Sequence, residues 1–251
     1  MKINELLSPL NENPRDQYAL ENIAGLIADY IKDNSQHGQK SPFVFQLSDI
    51  KGLSHLYPRL RAINVVAFLD SSHSTNAGSF SSRFREIVLY DVLNTSPEKL
   101  ESIIIHELRH ALDSSYSNKK YVDRSRPYLH SQHEINARFS EALKNINREL
   151  RMKGGMDIEE YLEAFERAAV KLDLINVFAD PKKGGDAALW LSQMGPKGMT
   201  NVFGRDTPTR NLISAYTNSS RYSSAITDKK RWNRLLSRVY KSWEYEMKRL
   251  K

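Results

Sequence analysis

The chain carries the sequence SPEKLESIIIHELRHALD at residues 96–113. Ser96 is a favourable N-cap, Pro97 suits the first helical position, and Glu98 adds a negative charge to the first turn. Apolar residues at helical spacing give the segment one apolar side: Leu100, Ile103, Ile104, Leu108, Ala111 and Leu112. The segment is therefore predicted to be a helix, and the three consecutive isoleucines before His106 indicate burial on nearly all sides.

The pattern His-Glu-x-x-His, at residues 106–110, is typical of zinc peptidases. Residues four apart lie on the same face of an α-helix, so the imidazoles of His106 and His110 can hold one metal ion between them. Glu107 follows the first histidine and can reach a water molecule on that ion rather than the ion itself. His106 and His110 are thus candidate metal ligands, and Glu107 is the candidate general base. The alternative is a pair of helix histidines without a metal.

A catalytic zinc site needs a third protein ligand beyond two histidines. Glu134 is the preferred candidate because it opens a second predicted helix, 24 residues after His110, that can pack across the first. The competing candidates are Asp123, His130, His133 and Glu141. The alternative interpretation of Glu134 is an ordinary first-turn acid that the helix dipole favours. Asp113 is expected either to orient one of the ligands or to be a polar residue near the helix end.

The run HELRHALD at 106–113, followed by Glu134-Ile-Asn-Ala-Arg138, resembles the zincin metalloproteases of the gluzincin type. Among these it is similar to the processing peptidases of the mitochondrial inner membrane, which pair His-Glu-x-x-His-Ala-x-Asp with a later Glu-x-x-Ala. The resemblance covers roughly residues 97–141. It implies zinc (Zn2+) as the cofactor and a zincin-like core whose sheet has an edge strand along the cleft, here expected at residues 85–92.

The remainder of the chain predicts an α+β fold with a small mixed β-sheet, an active-site helix and a mostly helical C-terminal half. Further helices are expected at residues 14–33, 134–151, 157–177 and 228–250, strands at 43–47, 62–69 and 85–92, and a loop or wide turn at 70–82. A metallopeptidase domain is expected over residues 1–195. Residues 196–251 are expected to form a linker and a basic amphipathic helix that packs on the same domain.

Composition and charge narrow the classes of partner and site. None of the 251 residues is cysteine, so disulfides are impossible and any metal must use His, Asp or Glu. The net charge of +7 is concentrated at residues 205–251, which hold 12 of the 37 Lys/Arg and 4 of the 30 Asp/Glu. This surplus indicates either a solvated helix face or an anionic partner. No signal peptide and no transmembrane segment is evident, so a cytoplasmic protein, or one delivered by a phage or bacterium, is expected.

These observations favour a zinc metalloendopeptidase that hydrolyses peptide bonds in a protein or peptide substrate. A metal-activated water would attack the bond, with Glu107 as the general base. The alternative is a non-enzymatic structural or interaction protein that keeps a zincin-like core and contacts an anionic partner through its basic C-terminal helix. A third hypothesis is a delivered effector with the same protease chemistry. The sequence does not distinguish it from the first hypothesis, because chemistry and delivery are independent.

Overall fold

The structure, a computed structural model, contains four short strands and five α-helices within the residues that it describes. These residues are 14–35, 41–53, 60–70, 77–116, 132–174, 226 and 229–251. In chain order the elements are α1 (Pro14–Ser35), β1 (Phe43–Gln46), β2 (Asn64–Ala67), β3 (Gly78–Ser81), β4 (Glu86–Leu89), α2 (Pro97–Tyr116), α3 (Gln132–Lys153), α4 (Ile158–Lys171) and α5 (Lys229–Arg249). The predicted α+β class is confirmed, and so is the mostly helical later half.

The four strands form one mixed sheet in the order β1-β2-β4-β3. β2 pairs with β1 in antiparallel orientation and with β4 in parallel orientation, and β3 adds to β4 in antiparallel orientation. The strands predicted at residues 43–47, 62–69 and 85–92 are all present, although each is shorter. β2, which lies within the strand predicted at residues 62–69, is an inner strand, because it has a neighbour on both sides.

Two expectations about the sheet are wrong. The loop expected over residues 70–82 ends in β3, whose residues pair with β4 in the register Ser79↔Val88. Gly and Ser have low strand propensity, but pairing with a buried neighbour outweighs it. As a result residues 85–92 are not the edge strand, because β3 covers the outer side of β4 and is itself the edge.

The chain divides into two compact units, residues 1–144 and residues 145–251, and the boundary falls inside α3. In the first unit, α1 packs against α2, and α2 packs against β3 and β4. The apolar faces of these elements form one core, which includes the fully buried Leu20, Ile27, Ile31, Val65, Ala67, Leu89, Ile104, Ile105 and Leu108. The Ser96 hydroxyl accepts a hydrogen bond from the Lys99 backbone N–H at 3.4 Å, which confirms Ser96 as the N-cap of α2.

In the second unit, α4 packs against α5. Gly154 and Gly155 end α3 with φ angles of +70° and +139°, which glycine adopts without strain. Asp157 caps α4 by accepting a hydrogen bond from the Glu160 backbone N–H at 2.8 Å. The apolar stripe predicted on α5 is buried as core packing: Trp232, Leu235, Leu236 and Val239.

Several expectations fall on residues outside the described ranges, among them the boundary at residue 195 and residues 175–177 at the end of the helix expected after Asp157. The expected packing of the C-terminal helix on residues 1–195 therefore stays a prediction. No helix in the described part of the chain combines the length and the apolarity needed to cross a bilayer.

Candidate metal centre

Two antiparallel helices supply the candidate ligands. His106, Glu107 and His110 lie on α2, and Glu134 lies in the first turn of α3. The two helices run in opposite directions. Asn136, near the start of α3, contacts Asp113 near the end of α2, and Lys144, further along α3, contacts Ser102 near the start of α2. The predicted packing of the second helix across the motif helix is thus present.

The three candidate ligand atoms converge on one point. His106 Nε2 and His110 Nε2 are 3.1 Å apart, and Glu134 Oε2 lies 3.7 and 3.4 Å from them, respectively. Metal bonds of about 2.0–2.1 Å at tetrahedral angles place two ligand atoms ~3.4 Å apart. The observed triangle is therefore close to one face of a zinc coordination tetrahedron. Within the described residues, these three side chains form a group that is compatible with a metal ion.

Outer contacts leave those three atoms turned inwards. Glu141 Oε2 lies 3.5 Å from Nδ1 of His106, and Arg138 Nε donates a hydrogen bond to Glu134 Oε1 at 2.7 Å. A carboxylate on Nδ1 favours the histidine tautomer whose lone pair is on Nε2. Glu141, a competing candidate for the third ligand, thus lies on the outer nitrogen of His106. The sequence analysis gave Arg138 no role, although its spacing of four residues from Glu134 indicates a contact on the same helix face.

The electrostatics of the cluster favour a positive charge at this point. Burial alone would lower the pKa of His106, but Glu134, Glu141 and Glu107 together raise it to about 9. Burial alone would raise the pKa of Glu134, but His106, His110 and Arg138 hold it well below its usual range. Without a metal, the cluster therefore holds a proton where a cation would bind.

Glu107, the candidate base, is 6% exposed. Burial raises the pKa of its carboxyl, and the negative charges of Glu134 and Glu141 add to the rise, while His106 and His110 oppose it. No described residue donates a hydrogen bond to this carboxyl or pairs with it. A buried carboxyl with a raised pKa beside a candidate metal site has the properties that proton transfer requires.

Gly78 on β3 explains how the edge strand comes so close to this carboxyl. A Cβ atom at Gly78 would lie 2.7 Å from Ile103 Cγ2 and 3.3 Å from Glu107 Oε1. A larger residue here would force the Ile103 side chain or the strand to move, because a contact below 3 Å is repulsive. Sequence analysis missed Gly78, since a glycine in a Ser-rich stretch is typical of a loop.

The remaining candidates lie elsewhere. His133 lies 3.6 Å from Asp113 through its Nδ1, and its side chain is 47% exposed. Asp113 contacts Arg109, His133 and Asn136, so in the described contacts it binds neighbours of Glu134 rather than a ligand itself. Asp123 and His130 fall outside the described residues.

Comparisons of the chain with protein-family models, with curated proteins and with solved structures find no match.

Proposed function

We propose that this chain is a zinc-dependent metalloendopeptidase in which His106, His110 and Glu134 hold the ion. The observation that carries the proposal is the triangle of 3.1, 3.4 and 3.7 Å between their ligand atoms, two of which belong to the His-Glu-x-x-His pattern of α2. Three protein ligands leave a fourth tetrahedral position for water or substrate, as in catalytic rather than structural zinc sites.

The donor set favours zinc among the common divalent ions. Two imidazole nitrogens and one carboxylate oxygen suit zinc, whereas magnesium and calcium prefer sets made of oxygen. The chain has no cysteine, so a thiolate site is excluded. When bound, zinc supplies a Lewis acid that polarises a peptide carbonyl and lowers the pKa of water towards about 7.

Glu107 would move the proton in this reaction. Its carboxylate accepts a proton from the attacking water and then delivers that proton to the nitrogen of the leaving amine. Burial raises the pKa of Glu107 towards neutral pH. A pKa nearer to the working pH suits a group that must both accept and donate a proton. Arg138 and Glu141 take no proton; they orient Glu134 and His106.

The edge strand β3 is the proposed binding surface for the substrate backbone. The Tyr90 N–H donates to the Ala77 carbonyl at 3.1 Å, and the alternation of an antiparallel pair then directs the backbone groups of Gly78 and Phe80 away from β4. An extended peptide can add to these groups by strand addition. Because Gly78 lies against Glu107, a peptide bond in the middle of such a strand would lie beside the base, which favours endopeptidase activity.

Metal content and cleavage by three purified variants test the proposal. Wild-type protein should hold about one zinc per chain and cleave an unfolded protein such as casein. His106→Ala should lose both properties, because one of three ligands is missing. Glu107→Gln should keep the zinc and lose cleavage, by about 10²- to 10⁴-fold for loss of a general base.

Glu101→Gln is the matched control, because it makes the same acid-to-amide change on α2 at a residue that pairs with Lys144 at 3.0 Å. It should keep both zinc and activity. Full activity of Glu107→Gln would eliminate the proposed base.

The alternative, a non-enzymatic interaction protein, draws on one feature of α5. Residues 229–241 hold six Lys or Arg and no acid. A wild-type chain without zinc that binds nucleic acid in a strongly salt-dependent way would favour this alternative over the peptidase.

A further inference from the structure

Glu134 occupies a position where a metal ligand needs outside support. It lies in the first turn of α3, and the terminal turns of helices fray because their backbone groups lack intrahelical partners. A functional constellation has to be held within about 0.5 Å of its working geometry. Contacts to the Glu134 side chain alone do not hold the backbone of this turn in place.

Asp113 of α2 contacts the residues on either side of this ligand. Its Oδ2 accepts a hydrogen bond from Asn136 Nδ2 at 2.9 Å and lies 3.6 Å from His133 Nδ1. Its Oδ1 lies 2.8 Å from Arg109 Nη2. Asn136 is 3% exposed and Arg109 is 5% exposed, so the contacts of Asp113 with these two residues are shielded from water. One carboxylate thus joins the last part of α2 to both flanks of Glu134.

We propose that Asp113 is a positioning residue for the metal centre, because it fixes the first turn of α3 against α2 and so sets the distance from Glu134 to the two histidines. It touches neither the ion nor the substrate. Arg109, one turn earlier on α2, holds the carboxylate in the orientation that meets α3. The inference rests on the proposed function, because a ligand needs positioning only where a metal binds.

The experiment compares Asp113→Ala with Glu101→Ala. Both remove a carboxylate that joins α2 to α3, but the contact of Glu101 is with Lys144, ten residues after Glu134. Asp113→Ala should weaken zinc binding, measured by competition with a chelating dye, by about 10- to 100-fold. Its cobalt-substituted form should show weaker visible absorption bands, because the carboxylate ligand is displaced. Glu101→Ala should stay within about twofold of wild type with an unchanged cobalt spectrum, as expected for an outer contact remote from the ligands.

Hydrogen exchange on the metal-free proteins separates this inference from the proposed function. Amides of residues 133–138 should exchange faster in Asp113→Ala than in wild type, and at the wild-type rate in Glu101→Ala. If wild-type protein takes up neither zinc nor cobalt, the proposed function fails, and unchanged exchange in Asp113→Ala would overturn the positioning role as well.

A zinc affinity of Asp113→Ala within twofold of wild type would also overturn the inference, and so would an equal loss in Glu101→Ala. Should Asp113→Ala fail to fold, Asp113→Asn retains the shape and one acceptor. It should show the same changes at reduced size, and wild-type zinc affinity in that variant would count against the role.

Discussion

α3 carries buried polar side chains in both units, and the two groups differ in how their atoms are matched. In the second unit, Tyr161 donates a hydrogen bond to Asn147 Oδ1, and Ser242 donates to the same oxygen at 3.3 Å. Nearby, Arg151 donates two hydrogen bonds to Glu246, at 2.9 and 3.0 Å. In the first unit, by contrast, two imidazole nitrogens and a carboxylate oxygen turn towards one another.

The difference separates a structural network from a candidate binding site. A network in which donors face acceptors is satisfied by the protein and specifies one packing arrangement. Atoms that all offer lone pairs to one point repel each other unless a proton or a metal ion lies between them. We therefore expect changes in the second unit to affect stability, and changes around the triangle to affect metal binding.

The largest effect is expected from Arg151→Ala. Glu246 is 2% exposed and would lose both hydrogen bonds, although Arg249 remains 3.5 Å away. Leaving a buried charge without its main partner should lower the free energy of unfolding by about 2–3 kcal/mol, less than a fully buried pair would lose. Urea unfolding followed by tryptophan fluorescence measures this, since Trp232 and Trp243 lie on α5. Zinc content should not change.

Lys153→Ala is the control for that comparison. Lys153 pairs with Glu149 and Glu160, but all three side chains are exposed, so its removal should change the stability little. A lower zinc content in Arg151→Ala would show that the two groups of polar residues do not have separate roles.

Glu141→Gln should show the reverse of the Arg151→Ala pattern, with weaker zinc binding and nearly unchanged stability. Glutamine can still accept a hydrogen bond from Nδ1 of His106, but it lacks the negative charge that makes the imidazole a better ligand. Loss of such an outer partner should weaken zinc binding about 10-fold while the stability changes little. Glu149→Gln makes the same change on an exposed part of α3 and should bind zinc as wild type does. Equal zinc affinities of the two variants would contradict the role of Glu141.

The helices and the candidate ligands could be predicted because their signals are local. The spacing of His106 and His110 fixes their common face on any helix, and Ser96 marks where that helix begins. Glu134 could be preferred but not singled out, since Glu141 lies on the same face of α3. Which carboxylate meets which nitrogen of His106 depends on how the two helices cross, and that arises from packing between distant segments.

The edge strand shows the same limit for the sheet. Residues 78–81 read Gly-Ser-Phe-Ser, a composition that favours a turn, and only pairing with β4 makes them a strand. Because β3 was not predicted, its neighbour β4, which lies within residues 85–92, was wrongly expected to be the edge strand. The role of Asp113 could not be decided from the sequence for a related reason: two of its three partners, His133 and Asn136, are contributed by α3.

The smallest effect is a dependence of stability on pH that belongs to the contact between Asp113 and His133. Burial alone would raise the pKa of the Asp113 carboxyl, but His133, Arg109 and Asn136 lower it. The hydrogen bond to Asp113 raises the pKa of His133, against the effect of burial. The pair thus stabilises the folded chain only while Asp113 is charged and His133 is protonated.

The pH range in which the pair stabilises the fold follows from the lowered pKa of Asp113 and the raised pKa of His133. The contribution of Asp113 is present above its unfolded pKa of about 3.9 and is lost as the pH falls through its lower folded value. The contribution of His133 is present below its unfolded pKa of about 6.5 and is lost as the pH rises through its higher folded value. In metal-free protein, the stability difference between wild type and Asp113→Asn should therefore be largest between about pH 4 and 6.5 and smaller at pH 9. Because His133 is half exposed, solvent screening should keep the change below about 1 kcal/mol. Urea unfolding of both proteins with a chelator across this pH range measures the stability difference. A difference that stays constant from pH 5 to pH 9 would show that protonated His133 does not form a stabilising ion pair with Asp113.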